Sequence, residues 1–460
     1  MKLPLIIQGG MGAWVSGYKL AQAVSMHKKC MGTISGIALD RILAWYLQNG
    51  DPGGHFLRAL NNFPFPEISE RVINRWYCKN NVVEHKRVPK LSLNPSVDFI
   101  DLTICGNFVA VWLAKEQHNN PVSINYLEKI QVPLIYSFVG VIMAGVDYIT
   151  MGAGIPDQIP ELIRSFIEGE EVKYNIDIQG SKKKYVLKFN PKEYFGCRLL
   201  PKLFKPNFLP IISSNLLANI LVRRFREKPF GFVVELPCAG GHNAPPRSYK
   251  SGEYIYGEKD LVNFEKLNEL DIPYWLAGGF ASPEKIAYAK SLGAQGVQVG
   301  SIFALCDESE IEQKYKDILR RNGYNNNQVI ITSSYSPTNY PFKIAELDNT
   351  LSDSVIYENE IRQCDKGFLV SFYIDDKGHI HSRCSAEPID SYLKKGGKID
   401  DTAVARCLCN GLLSTVGKGD IDRHAIITLG DDLSFLKHLM SCAEDSYSVD
   451  DVIKYLSKNN

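Results

Sequence analysis

The chain has no surplus of charge of either sign: its 460 residues carry 52 Lys and Arg against 51 Asp and Glu. That removes the global electrostatic basis for attraction to nucleic acid or an anionic membrane and leaves only local patches. No hydrophobic run is long enough for a membrane span. The longest charge-free apolar stretch, PLIYSFVGVIMAGV at 133–146, falls short of the ~20 residues required. The opening MKLPLIIQGGMG turns glycine-rich too early for a signal-peptide core. Internal repeats and low-complexity tracts are also missing. Neither a nucleic-acid nor a membrane partner is therefore expected, and the expected compartment is cytoplasmic. In that setting eleven cysteines, an odd and scattered set, should be mostly reduced.

What is present is the composition of a globular protein with a sizeable core, 45% hydrophobic and 22% charged. Its texture is a series of short apolar or β-branched runs, each stopping at Gly, Ser or Asn. These are PLIIQGG (4–10), CMGTISG (30–36), PVSINYLE (121–128), VDYITMGAG (146–154), FLPIISSN (208–215), FGFVVELP (230–237), PYWLAGGF (273–280) and GVQVGSIFAL (296–305). Most lead into a helix-like segment. In SPEKIAYAKSLGA, for example, Ser282 suits the N-cap, Pro283 the first turn and Gly293 the stop. Continuous apolar strands alternating with helices imply a parallel sheet covered on its faces. Eight such units within residues 1–306 predict an α/β fold, a (β/α)8 TIM barrel, with a doubly wound open sheet as the competitor. Two insertions interrupt the series, at about 51–101 and at 169–206, the second read as a hairpin or lid. Residues 307–460 read as an α+β C-terminal extension packed on the barrel and as a candidate interface for a homo-oligomer. Near its end Ser448 and Asp451 form a capping-box pattern.

The loops after barrel strands converge at one end, where such folds place their sites. Gly278 and Gly279 after the seventh run, with Gly300 and Ser301 after the eighth, occupy the usual phosphate position. There a bare backbone approaches an anion closely. Gly9, Gly10 and Met11 bring exposed backbone to the same mouth, suited to lie against a flat ring, and Asn125 ends the third run. The sixth run leads to AGGHNAPP, which holds His242 between glycines and prolines. Histidine titrates nearest neutrality and suits proton transfer at carbon.

With these residues assembled, the chain resembles the nitronate monooxygenase (2-nitropropane dioxygenase) family. The matching stretches are PLIIQGGMGAWVSGYKLAQAVS, AGGH at 239–242 and AGGFASPEKIAYAKSLGAQGVQVGSIFALCDES at 277–309. The extension is similar to that of a longer bacterial branch. The resemblance implies a flavoprotein oxidoreductase binding FMN and acting on a small-molecule substrate with dioxygen. His242 would be the catalytic base, Gly9, Gly10 and Met11 would lie by the flavin ring, and Asn125 would contact the flavin or ribityl chain. Gly278, Gly279, Gly300 and Ser301 would hold the phosphate. IIQGGMG replaces the family's alanine-proline-methionine run, and ELPCAGGH places Cys238 beside the glycines. Both departures bear on the substrate side of the flavin.

Two other readings remain open. One is an NAD(P)H-dependent flavin enoyl-thioester reductase of fatty-acid or polyketide type, with the same barrel and histidine. The other concerns Cys364, Cys384, Cys407 and Cys409 in the extension. These are either buried structural thiols or ligands converging on zinc or an iron–sulfur cluster in a metal-stabilised interaction module, although C-x-C with long gaps is not a finger spacing.

Overall fold

Eight parallel strands close into a barrel in the computed structural model, which describes residues 3–79, 85–196, 202–250 and 253–458. They are β1 (Ile6–Gln8), β2 (Cys30–Ser35), β3 (Val122–Leu127), β4 (Tyr148–Gly152), β5 (Asn207–Ile212), β6 (Phe232–Glu235), β7 (Tyr274–Ala277) and β8 (Gly296–Val299). Each strand pairs with its sequence neighbours, and β1 pairs with β8 through Ile6 opposite Val297. That last pairing decides between the barrel and the open sheet. All eight strands fall on the runs read from the sequence. The reason is visible in β2, β4 and β7, every residue of which is buried. Strands covered on both faces are written as unbroken apolar runs.

Ile7, Met31, Tyr148, Leu209, Val233, Trp275 and Ala277, drawn from six strands, form a cluster of their own. The Trp275 indole donates to the Pro4 carbonyl at 2.8 Å, which ties this cluster to the N-terminal end of β1. The surrounding helices follow their capping signals. In Pro283–Ser291 the Ser282 hydroxyl accepts from the Lys285 N–H at 3.2 Å, and the helix stops before Gly293 at φ +99°. One helix, Val97–Ala114, is long and apolar enough by composition to cross a membrane. It is 78% buried, packed against the helices Leu39–Gln48 and Leu134–Met143.

After β2 the chain inserts the short helices His55–Leu60 and Pro66–Trp76. After β4 and its helix it inserts an antiparallel hairpin, Val172–Ile176 with Tyr185–Phe189. Beyond β8, residues 307–458 supply the helix Gln313–Tyr324, strands Ile330–Ser333 and Phe342–Ala345, and a hairpin of Ser371–Ile374 with Ile380–Arg383. They end in helices Leu408–Thr415 and Val449–Leu456, the latter opened by the Ser448–Asp451 capping box. One apolar cluster runs from Ile6 and Val297 through Leu319 and Phe342 to Leu408 and Val452. Barrel and C-terminal region thus share a core. They also share a sheet: Gly241–His242, in the loop after β6, pairs antiparallel with Phe342–Ala345, placing His242 opposite Phe342.

Candidate active site

A cavity of about 210 Å3 opens at the C-terminal ends of the strands. All nine residues singled out from the barrel sequence line it: Gly9, Gly10, Met11, Asn125, His242, Gly278, Gly279, Gly300 and Ser301. Eight strands deliver their loops to one mouth, so residues scattered over some 300 positions meet there.

The β1 loop sits very close to β3. A Cβ on Gly10 would fall 2.4 Å from the Asn125 Cβ, so only glycine allows this approach. Asn125 is oriented by the Thr150 hydroxyl, which donates to its Oδ1 at 2.9 Å. On the next wall the Gln298 carboxamide oxygen is buried and accepts no hydrogen bond from the protein. An orphaned acceptor facing a cavity calls for a ligand donor. Gly278 and Gly279 have φ of +90° and +81°, a region that side chains avoid, and so present bare backbone to the cavity.

The C-terminal region not only packs on the barrel but forms the roof of the site. Phe342, Phe368, Leu369, Leu408, Leu412 and Phe435 cover the mouth with apolar surface. The loop Thr428–Asp432 clasps the β6 and β8 loops. Its Gly430 N–H donates to the Ser301 hydroxyl at 2.8 Å, and the Asp431 N–H donates to the Cys238 carbonyl at 3.1 Å. Asp432 also lines the cavity, held by Lys285 at 2.5 Å.

His242 is fixed by more than the glycines and prolines around it. Its backbone is strand-paired to Phe342, and its ring meets the Phe342 ring edge-on at 4.7 Å. Its Nε2 lies 2.7 Å from the Ser336 hydroxyl, which lies 2.7 Å from that of Thr338. Burial lowers the imidazole from its usual 6.5 to about 4, because a charged ring is poorly solvated there. The histidine is therefore neutral at pH 7.

Glu235, at the end of β6, also lines the cavity. Burial raises its carboxyl to about 8, so it is protonated at neutral pH. It was missed in the sequence because FVVELP reads as one apolar run; a single acid inside such a run was the available signal. Ser336 and Thr338 left no signal, since they reach His242 only through pairing with a strand a hundred residues away in the chain. Burial also raises the Cys238 thiol. Of the four C-terminal cysteines, Cys409 reaches the cavity wall, while Cys364, Cys384 and Cys407 lie together behind it.

Residues 208–338 match the family model described as nitronate monooxygenase. This part of the chain is similar to the nitronate monooxygenase family. The segment runs from β5 to Thr338 and holds His242, the glycines of β7 and β8, and Ser336. A "Probable nitronate monooxygenase" of Bacillus subtilis (strain 168) is 36% identical over 91 residues, 20% of this chain and 26% of that protein. The alignment thus spans about a quarter of that relative's length. Among solved structures, FabK from Thermotoga maritima aligns over 100% of this chain and 92% of its own, with a TM-score of 0.51 and 17% identity, a likeness of fold. Nitroalkane oxidase from Streptomyces ansochromogenes aligns over 99% and 95% at a TM-score of 0.47 and 12% identity.

Proposed function

We propose that the protein is an FMN-dependent oxidoreductase of nitronate monooxygenase type, oxidising nitronates and nitroalkanes with dioxygen and using His242 as base. The observation that carries this reading is a neutral, immobilised histidine on the wall of a glycine-lined barrel cavity. The cavity's chemistry fits the cofactor. Gly9, Gly10 and Met11 would lie along the flavin ring, with Asn125 and Gln298 beside its polar edge. Gly278, Gly279, Gly300 and Ser301 would take the phosphate. Bound FMN would supply the electron acceptor and pass the electrons on to dioxygen.

The protein's own residues handle the proton. With Nε2–H donated to Ser336 Oγ, the histidine keeps its Nδ1 lone pair for the α-proton of a neutral nitroalkane. The Ser336–Thr338 hydroxyls then stabilise the charged ring and lead the proton away. Glu235, being protonated, donates a hydrogen bond to a nitro oxygen, where a carboxylate would repel a nitronate. Phe342, Phe368 and Leu412 present apolar surface to the substrate.

Anaerobic mixing tests the reaction. The flavin absorbance of the purified protein is expected to bleach with a nitronate and to return with oxygen. Bleaching by NAD(P)H but not by a nitronate would instead establish the enoyl-reductase type. Gly10→Ala tests the cofactor position: a methyl group driven against Asn125 is expected to lower FMN content at least tenfold while the far-UV circular dichroism of the barrel is kept. Equal FMN loading would place the ring elsewhere.

A further inference from the structure

Four thiols meet behind the roof of the cavity. Cys384 packs with Ala386 and Ala405 in a small cluster separate from the main core, and Cys364, Cys407 and Val370 lean on it. Cys407 caps the helix Leu408–Thr415, and Cys409 lies in its first turn. Cys364 packs on Cys384, while Cys407 and Cys409 stand two positions apart at the start of one helix. Cys407 packs on the same small cluster as Cys364, so the two pairs stand side by side. None of the four is in a disulfide.

Ordinary buried thiols in this protein look different. Cys30, Cys105 and Cys306 sit apart, and burial pushes each upward, Cys30 to about 12. In the cluster the thiols instead pack on one another. The surroundings favour thiolates. The Asn410 carboxamide donates to Cys407 Sγ at 3.3 Å, and the Lys90 ammonium lies near Cys364. N–H···S contacts and a nearby cation are the outer partners that thiolate-bound metals use.

We infer that Cys364, Cys384, Cys407 and Cys409 form a closed four-thiolate metal site that takes a zinc ion or an iron–sulfur cluster. Four sulfurs leave no open position, which is the arrangement of a structural site. Zn–S bonds of about 2.3 Å set tetrahedral sulfurs roughly 3.8 Å apart. No three of these sulfurs lie within 4.8 Å of one another. A single zinc would thus draw the two pairs together, whereas a cluster spans them more nearly as they stand. Either metal would bolt the segment carrying Phe368 and Leu369 to the one carrying Leu408, Cys409 and Leu412, and these five residues line the cavity. The site would fix the roof whatever reaction runs beneath it.

The test is metal and acid-labile sulfide analysis of the full chain, purified anaerobically without chelators. About one zinc per chain, or several irons with matching sulfide and a broad visible band distinct from flavin, is expected. Cys384→Ser and Cys407→Ser should lower that content at least tenfold, while Cys442→Ser, an exposed cysteine outside the set, should leave it unchanged. Titrating the folded wild-type protein with a mercurial should release the metal as these thiols react, a readout independent of whether the variants fold. Wild-type protein holding neither metal, and taking up neither Zn2+ nor Fe2+ with sulfide after reduction, would overturn the inference. So would serine variants that keep their metal. FMN content, measured on the same samples, reports separately on the flavin site.

Discussion

Replacing His242 by alanine is expected to cost about 10²–10⁴-fold in kcat/KM on neutral nitroalkanes, the usual worth of a positioned general base. FMN content should be kept, because no glycine of the proposed phosphate grip changes. Nitronates supplied already ionised have no α-proton to lose and should be affected far less. That contrast separates a base from a residue that merely shapes the pocket, which would lower both activities together. The wild-type pH profile supplies a second readout. Burial holds the imidazole at about 4, so its base form persists as pH falls, and the acidic limb should lie near pH 4 rather than near 6.5. Ser336→Ala should move that limb, since it removes the hydroxyl 2.7 Å from Nε2. Full turnover of neutral nitroalkanes by His242→Ala would remove the histidine from the mechanism.

The barrel was legible because it rests on local signals. Each strand is a short apolar run closed by a small or polar residue, and helices such as Pro283–Ser291 carry their caps within a few positions. Closure itself was not local: only the β1–β8 pairing excludes an open sheet. The site divides in the same way. Glycines and a histidine at strand ends mark themselves, since a parallel barrel puts strand ends at the mouth. Ser336, Gly430 and the roof residues do not, because their positions depend on how residues 307–458 wrap back across the mouth. Pairing of Gly241–His242 with Phe342–Ala345 is a long-range contact that no periodicity announces. The glycines and prolines flanking His242 suggested a stiff loop, whereas much of the stiffness comes from that distant strand.

Glu235→Gln is expected to stabilise the protein at alkaline pH and to leave it nearly unchanged in acid. The sign follows from proton counting. In the unfolded chain a glutamate ionises near pH 4.5, while the folded protein keeps this proton until about pH 8. Between those values the native state binds more protons than the unfolded one, so stability falls as pH rises through the window and levels off above it. The contribution is therefore fully present below about 4.5 and lost by about 8. Each pKa unit corresponds to about 1.4 kcal/mol. Glu235 borders a cavity that admits water, which screens part of the cost, so a difference of about 1–3 kcal/mol between variant and wild type is expected at pH 8.5. Denaturant midpoints at pH 4 and 8.5 measure it, with the two proteins coinciding at the lower pH and parting at the higher. Parallel curves would mean that the carboxyl is ionised in the folded state. In that case the acid could not donate to a nitro oxygen, and the substrate side of the cavity would have to accommodate a fixed negative charge beside an anionic nitronate.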